Sequence, residues 1–135
     1  MSAQTRLYLA VGLGGMLGSV ARALVTLAML RLLGPDFAWG TLTVNAAGSL
    51  LIGLYATLTE PGGRVFASPA RRQFVLAGFC GGFTTFSIFS LETLLLADRG
   101  ALDLAGLYLA ASLLSWMFAV WIGHRIGRHL NRLTT

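Results

Sequence analysis

The chain has 135 residues, of which 56% are hydrophobic and 11% charged, and its mean hydropathy is +0.74. A soluble domain carries about a quarter charged residues, so the composition excludes a soluble globular protein and leaves no room for a separate soluble domain beside the apolar part. The net charge is +5 with every basic residue an Arg; these stand at the ends of apolar runs, which argues for a membrane and against nucleic acid.

A helix needs about 20 apolar residues to cross a bilayer, and the chain has room for four. The reading is an all-α membrane protein, one domain over residues 1–135, with transmembrane helices at about 7–30, 40–58, 70–97 and 102–123. Arg6 before an apolar run imitates a signal peptide. Three further runs of the same kind follow, so the first is read as a retained helix. Cys80 is the only cysteine, which excludes an intrachain disulfide and a multi-cysteine metal site.

The first span carries Gly12, Gly14, Gly15 and Gly18. Gly14 and Gly18 form a GxxxG pair, which lets helix backbones approach closely. A dinucleotide loop is excluded, because the third glycine is misplaced and no strand precedes the run. Arg22 lies roughly 22 Å along the helix from Leu7. It reads as an arginine that snorkels to headgroups and equally as a cation at a pore mouth or vestibule; the two roles are compatible. Gly34 and Pro35 make a turn, and Trp39 suits the membrane interface.

In the second span Thr41, Asn45 and Ser49 recur every four residues and share a face. A mid-membrane Asn must be hydrogen-bonded or face water. Helix–helix glue is the common explanation, but three polar residues in a stripe tip the reading towards a pore wall. Ser68 followed by Pro69 reads as an N-cap and first helical residue.

The third span is expected to break in mid-membrane. Gly81, Gly82, Thr84 and Thr85 are poor helix formers, so the halves are set at about Ala70–Cys80 and Phe86–Ala97. Backbone freed inside lipid must find protein partners or line a polar cavity. After the break, Thr85, Phe89 and Glu92 share one face, and Phe86, Ser90 and Thr93 an adjacent one. Glu92 is the only acidic residue within a span. It reads either as a hydrogen-bonded buried acid or as a pore-lining or proton-coupled carboxylate. On spacing alone the phenylalanines read as packing.

The fourth span brings a third polar stripe, Tyr108, Ser112 and Ser115. Trp116 and Trp121 suit packing or the interface. His124, Arg125, Arg128, His129 and Arg132 form a basic cytoplasmic anchor, and the histidines lack the companions of a metal site. Four short helices enclose little space, and Gly14/Gly18, Gly78/Gly82 and Gly123/Gly127 offer close-packing surfaces. A homo-oligomer, most simply a dimer, is therefore expected.

Three motifs in order and at matching spacing carry a resemblance: Arg22 after Gly14-Gly15-Met16-Leu17-Gly18, Gly40 through Asn45, and Gly81-Gly82-Phe83-Thr84-Thr85-Phe86-Ser87-Ile88-Phe89. Together they resemble the Fluc/CrcB fluoride channel family over nearly the whole chain. The resemblance implies passive, fluoride-selective export from the cytoplasm through the cell inner membrane, and hence fluoride resistance. It implies an antiparallel, dual-topology homodimer with two pores. It also implies a structural Na+ held by main-chain carbonyls of Gly81 and Thr84. Phe86 and Phe89 match the pore phenylalanines, Asn45 the pore asparagine, and Tyr108 and Ser112 the polar track. Thr85, Ser87 and Glu92 also match pore positions, and Arg22 the vestibule.

The chain departs from the family at Ile88, where a Thr is frequent, and at Ser115 beside Trp116, where the second serine is offset. Arginines in the N-terminal tail, second loop and C-terminal tail outnumber those on the other side, a bias that favours a cytoplasmic N-terminus over the balanced charge of a dual-topology chain. The alternative function is a small proton-coupled exporter using Glu92, although the first span lacks the carboxylate such exporters place there. A non-transporting assembly subunit has no use for three polar faces. No nucleophile, base and acid occur at catalytic spacing, so an enzyme is excluded.

Overall fold

A computed structural model describes residues 2–132, and among these every regular element is helical. Helix α1 (Ala3–Leu33) is capped by the Ser2 hydroxyl, which accepts from the Thr5 amide, and ends at Gly34 with φ +81°. Its 31 residues reach about 46 Å, more than the hydrocarbon thickness. Helix α2 (Trp39–Leu58) follows after a short turn. The third span opens with α3 (Pro69–Gln73), where Ser68 and Pro69 form the expected cap. It continues through a π-helical stretch, Phe74–Cys80, and the single turn α4 (Gly81–Phe83). Helical structure resumes as α5 (Phe86–Asp98), and α6 (Leu102–Arg132) completes the chain. Four helical stretches are long and apolar enough to cross a membrane: Ala3–Leu33, Trp39–Leu58, Pro69–Asp98 and Leu102–Arg132. Each begins close to the expected position. The fourth runs past Gly123, so the basic residues expected to form an anchor are the last turns of α6 itself.

The bundle has two tight seams. At the first, α1 crosses the π-helical stretch and α4; at the second, α2 lies along α6. Both are built on glycine. A methyl group at Gly14, Gly18, Gly78 or Gly82 would fall inside 3.0 Å of backbone atoms across the first seam. Gly53 would meet the Val120 carbonyl and Gly123 the Leu50 carbonyl across the second. From sequence these glycine pairs are surfaces for a second chain. The structure instead uses them inside one chain, so they carry no argument for a dimer. The buried core is correspondingly thin. Val44, Cys80 and Tyr108 are fully buried, while long runs of Leu, Met and Val on α1 and Leu and Phe on α5 and α6 face outward, as a lipid solvent allows.

The end of α6 is tied to the loop after α2. Asn131 donates to the Thr57 carbonyl at 2.9 Å and accepts from the Arg64 amide at 2.9 Å. One turn and more upstream, His124 Nδ1 lies 2.8 Å from Thr57 Oγ1, which donates its own proton to the Gly53 carbonyl at 2.8 Å. That donation leaves the Thr57 oxygen as acceptor and places the His124 proton on Nδ1. Replacing Asn131 with Ala should lower stability by about 1 kcal/mol, read from thermal unfolding in detergent. An unchanged midpoint would show that the tie is not used.

Candidate functional site

The site is built where α2 faces the junction of α4 and α5. Thr84 has φ −83° and ψ 160°, and Thr85 has φ −151° and ψ 121°, both extended. Gly81 and Gly82 remain helical, so the non-helical residues are the two threonines rather than the glycines. β-Branched threonine loses little on leaving a helix. The backbone groups set free are met by side chains. Asn45 Oδ1 accepts from the Thr85 amide at 2.7 Å, and Asn45 Nδ2 donates to the Thr85 carbonyl at 2.8 Å. Thr85 Oγ1 in turn caps α5 by accepting from the Ile88 amide at 3.2 Å.

The two extended residues interrupt helical pairing for the carbonyls of Gly81 through Thr84, of which the Gly82 carbonyl accepts from the Ser19 hydroxyl at 3.5 Å. In a continuous helix the Gly81 carbonyl would accept from the Thr85 amide, and the Thr84 carbonyl from the Ile88 amide. Those amides are given to Asn45 and to Thr85 Oγ1. The flank of Gly81 is open, with nothing within 4 Å of where a Cβ would stand. Main-chain carbonyls turned out of a helix suit a hard cation, and Gly81 and Thr84 are the two residues that the resemblance assigns to Na+. Among the described residues no group of His, Cys, Asp or Glu side chains could hold a metal ion.

Towards one end of the site, Glu92 draws α2, α5 and α6 together. Its Oε1 accepts from Thr41 at 2.9 Å and its Oε2 from the Tyr108 hydroxyl at 2.6 Å. Thr41 and Glu92 line a cleft of about 290 Å³ together with Asp36, Phe37, Trp39 and Arg99. Phe37, in the turn before α2, rests edge-on against Tyr108 with centroids 5.3 Å apart.

Towards the other end, Phe89 is 4% exposed and touches three rings. Tyr108 lies 5.3 Å away, Trp116 4.8 Å away and nearly perpendicular, and Phe86 5.6 Å away. Ser112 is completely buried, and its hydroxyl, close to that of Tyr108, makes no well-formed hydrogen bond. Thus Asn45, Thr85, Phe89, Glu92, Tyr108 and Ser112 come together on one wall. Two expected members stand apart: Phe86 is 68% exposed and Ser87 is exposed, although its hydroxyl reaches Thr85 Oγ1 at 3.4 Å. Arg22 is half-buried on α1, and its Nε is buried with no partner. Ser49 is half-buried and Ser115 turns its hydroxyl to the Ser112 carbonyl at 2.9 Å.

Sequence reasoning gave no role to Phe37, nor to Thr41 as the partner of Glu92. Thr41 was legible as part of a stripe, but its carboxylate partner sits 51 residues away. Phe37 lies in a turn, where periodicity gives no signal.

Four helices long and apolar enough to cross a membrane, with a polar wall among them, make this a multi-pass membrane protein. A family model described as CrcB-like protein, Camphor Resistance (CrcB), matches residues 9–124. The chain belongs to that family. It is 51% identical to a fluoride-specific ion channel FluC 1 of Rhodopseudomonas palustris over 94% of this chain and 90% of that one. It is 50% identical to a protein of the same name from Bradyrhizobium diazoefficiens, over 94% of this chain and 88% of that one. It is also 47% identical to a fluoride-specific ion channel FluC of Opitutus terrae, over 94% of this chain and 96% of that one.

Proposed function

We propose that this protein is a fluoride-selective channel of the bacterial inner membrane, through which fluoride leaves the cytoplasm passively. The observation that carries the reading is the wall from Glu92 through Phe89 to Ser112, which combines donors, ring edges and a single carboxylate at membrane depth. A small anion gives up tightly held water only where donors replace it. Phenylalanine edges carry the positive end of the ring quadrupole, so they meet an anion without the grip of a guanidinium. Conduction needs that balance, because a site that binds too well does not release. Glu92 has a different part: it fixes the Tyr108 and Thr41 hydroxyls.

The working unit in this reading is an antiparallel homodimer with two pathways. Phe86 is compatible with it: its ring touches Phe89 on one side and leaves 68% of its surface open to a second copy. The carbonyls of Gly81 and Thr84 fit a structural Na+, which when bound would supply positive charge to hold the freed backbone in place. Prolonged dialysis into a Na+-free buffer should then lower thermal stability, and return of Na+ but not of a large organic cation should restore it.

The deciding experiment is efflux from liposomes loaded with potassium fluoride or potassium chloride, with a potassium ionophore and no pH gradient. Fluoride should leave at least about a hundredfold faster than chloride, since a site fitted to one anion's dehydration at the cost of about 3 kcal/mol gives that ratio. Equal rates, or no rate, would overturn the assignment. A flux that requires a pH gradient and vanishes in Glu92→Gln would replace it with the proton-coupled exporter.

A further inference from the structure

Most polar side chains on the wall have already committed their protons. Tyr108 and Thr41 donate to Glu92, and Asn45 donates to the Thr85 carbonyl. Thr85 Oγ1 and Ser87 are engaged with each other. On this wall two buried polar atoms lack a well-formed hydrogen bond, Ser112 Oγ, which lies close to the Tyr108 hydroxyl, and Trp116 Nε1. They lie four residues apart on α6, so they stack on one face about 6 Å apart along its axis. The Trp116 indole packs nearly perpendicular to Phe89 at 4.8 Å.

We propose that the Trp116 indole N–H is a second anion-contacting donor, which acts with Ser112 beside Phe89 to take a fluoride ion past the ring. The inference rests on the fluoride-channel reading. Simple packing does not account for the residue as well. A phenylalanine would fill similar space without stripping water from a donor that then finds no acceptor. Interface anchoring fails too, because Trp116 lies about 12 Å along α6 before His124, the first ionisable residue beyond it. An unpaired N–H at that depth is stable in the presence of a passing acceptor, and fluoride is the strongest acceptor among the halides.

The donors differ in a useful way. The Ser112 hydroxyl rotates and can follow an ion. The indole N–H is fixed in direction by a ring held against Phe89, and it cannot accept a hydrogen bond. The pair therefore offers protons to an anion but no lone pair from Trp116 to a cation or to a proton carrier.

The test uses full-length protein in liposomes and in detergent. The sequence has three tryptophans, so indole ¹⁵N labelling should give three Nε1–H signals. The signal absent from Trp116→Phe should shift with sodium fluoride and stay still with sodium chloride. In efflux, Trp116→Phe should lower the fluoride rate by about tenfold or more, as expected for loss of a charge-assisted hydrogen bond, while Trp116→His, which retains a ring N–H, should recover part of it. Ser112→Ala combined with Trp116→Phe should cost less than the product of the single effects, since both touch the same ion. If wild-type protein conducts fluoride but the Trp116 signal is unmoved, or if the Phe and His variants lose equal activity, Trp116 is only a packing residue. If wild-type protein conducts no fluoride at all, the channel reading itself fails, which is a distinct result. Should Trp116→Phe fold poorly, the Trp116 signal is assigned by elimination from Trp39→Phe and Trp121→Phe, each of which loses one of the other two.

Discussion

Asn45→Ala should abolish fluoride efflux and destabilise the protein together. The side chain satisfies both the amide and the carbonyl of Thr85, at 2.7 and 2.8 Å. Both groups lie at membrane depth, where water is not at hand to replace a lost partner. Each orphaned group costs about 1–3 kcal/mol, so the sum is about 2–6 kcal/mol if nothing relaxes. Relaxation has an obvious route: the Thr85 amide can return to the Gly81 carbonyl and the helix can close. That movement withdraws the Gly81 oxygen and turns Phe86 and Phe89 relative to α6, so a protein that regains stability should still lose flux. Asn45→Asp separates the two effects. Its oxygen can still accept from the Thr85 amide, but it opposes the Thr85 carbonyl and adds a negative charge beside the anion path. Asp should therefore be less unstable than Ala yet conduct no better. Efflux from loaded liposomes and thermal unfolding in detergent measure the two quantities. Wild-type flux through Asn45→Ala would show that the brace at Thr85 does not shape the path.

The helices were legible because lipid imposes a simple rule. Twenty apolar residues with charged or turn-forming ends make a span, and Gly34-Pro35, Ser68-Pro69 and Asp98-Arg99-Gly100 mark the ends in the sequence. Polar stripes were also legible, since Thr41 and Asn45 must share a face of any helix. The partners across helices were not. Nothing in the spacing says that Asn45 reaches Thr85 rather than a neighbouring helix, or that Thr41 and Tyr108 converge on Glu92, because those pairings depend on how α2, α5 and α6 cross. The roles of the glycines were misread for a related reason. A GxxxG pair permits a close crossing but does not state whether the crossing helix belongs to the same chain. The direction of α5 after the two extended threonines decides the exposure of Phe86, and a two-residue rotation of a helix is beyond what periodicity fixes. Trp116 read as packing or an interface residue because the sequence shows the ring and not the missing acceptor.

Gly48→Ala should reproduce the functional loss of Asn45→Ala while leaving every polar side chain in place. Gly48 sits three residues after Asn45 on α2 and is buried. An added methyl would run into the Thr84 side chain, with the Phe83 ring next at 3.4 Å. Thr84 has little room to withdraw, because its hydroxyl is held at 2.8 Å by the Cys80 carbonyl and its amide at 2.9 Å by the same oxygen. The relief must come from α2 moving away, which lengthens the two Asn45–Thr85 hydrogen bonds. Overpacking of this kind costs about 1–3 kcal/mol, comparable to the loss of one of those bonds with its desolvated group. Gly12→Ala is the matched control: it lies in α1 with nothing within 4 Å of the new methyl, and it should be neutral or stabilise by up to about 1 kcal/mol through helix propensity. Gly18→Ala, whose methyl meets the Phe79 carbonyl, should destabilise at the other seam. If stability alone governed flux, Gly18→Ala and Gly48→Ala variants of equal melting temperature would conduct equally. A lower rate for Gly48→Ala at matched stability would show that the approach of α2 to the extended threonines, and not the rigidity of the bundle in general, sets the geometry of the anion path.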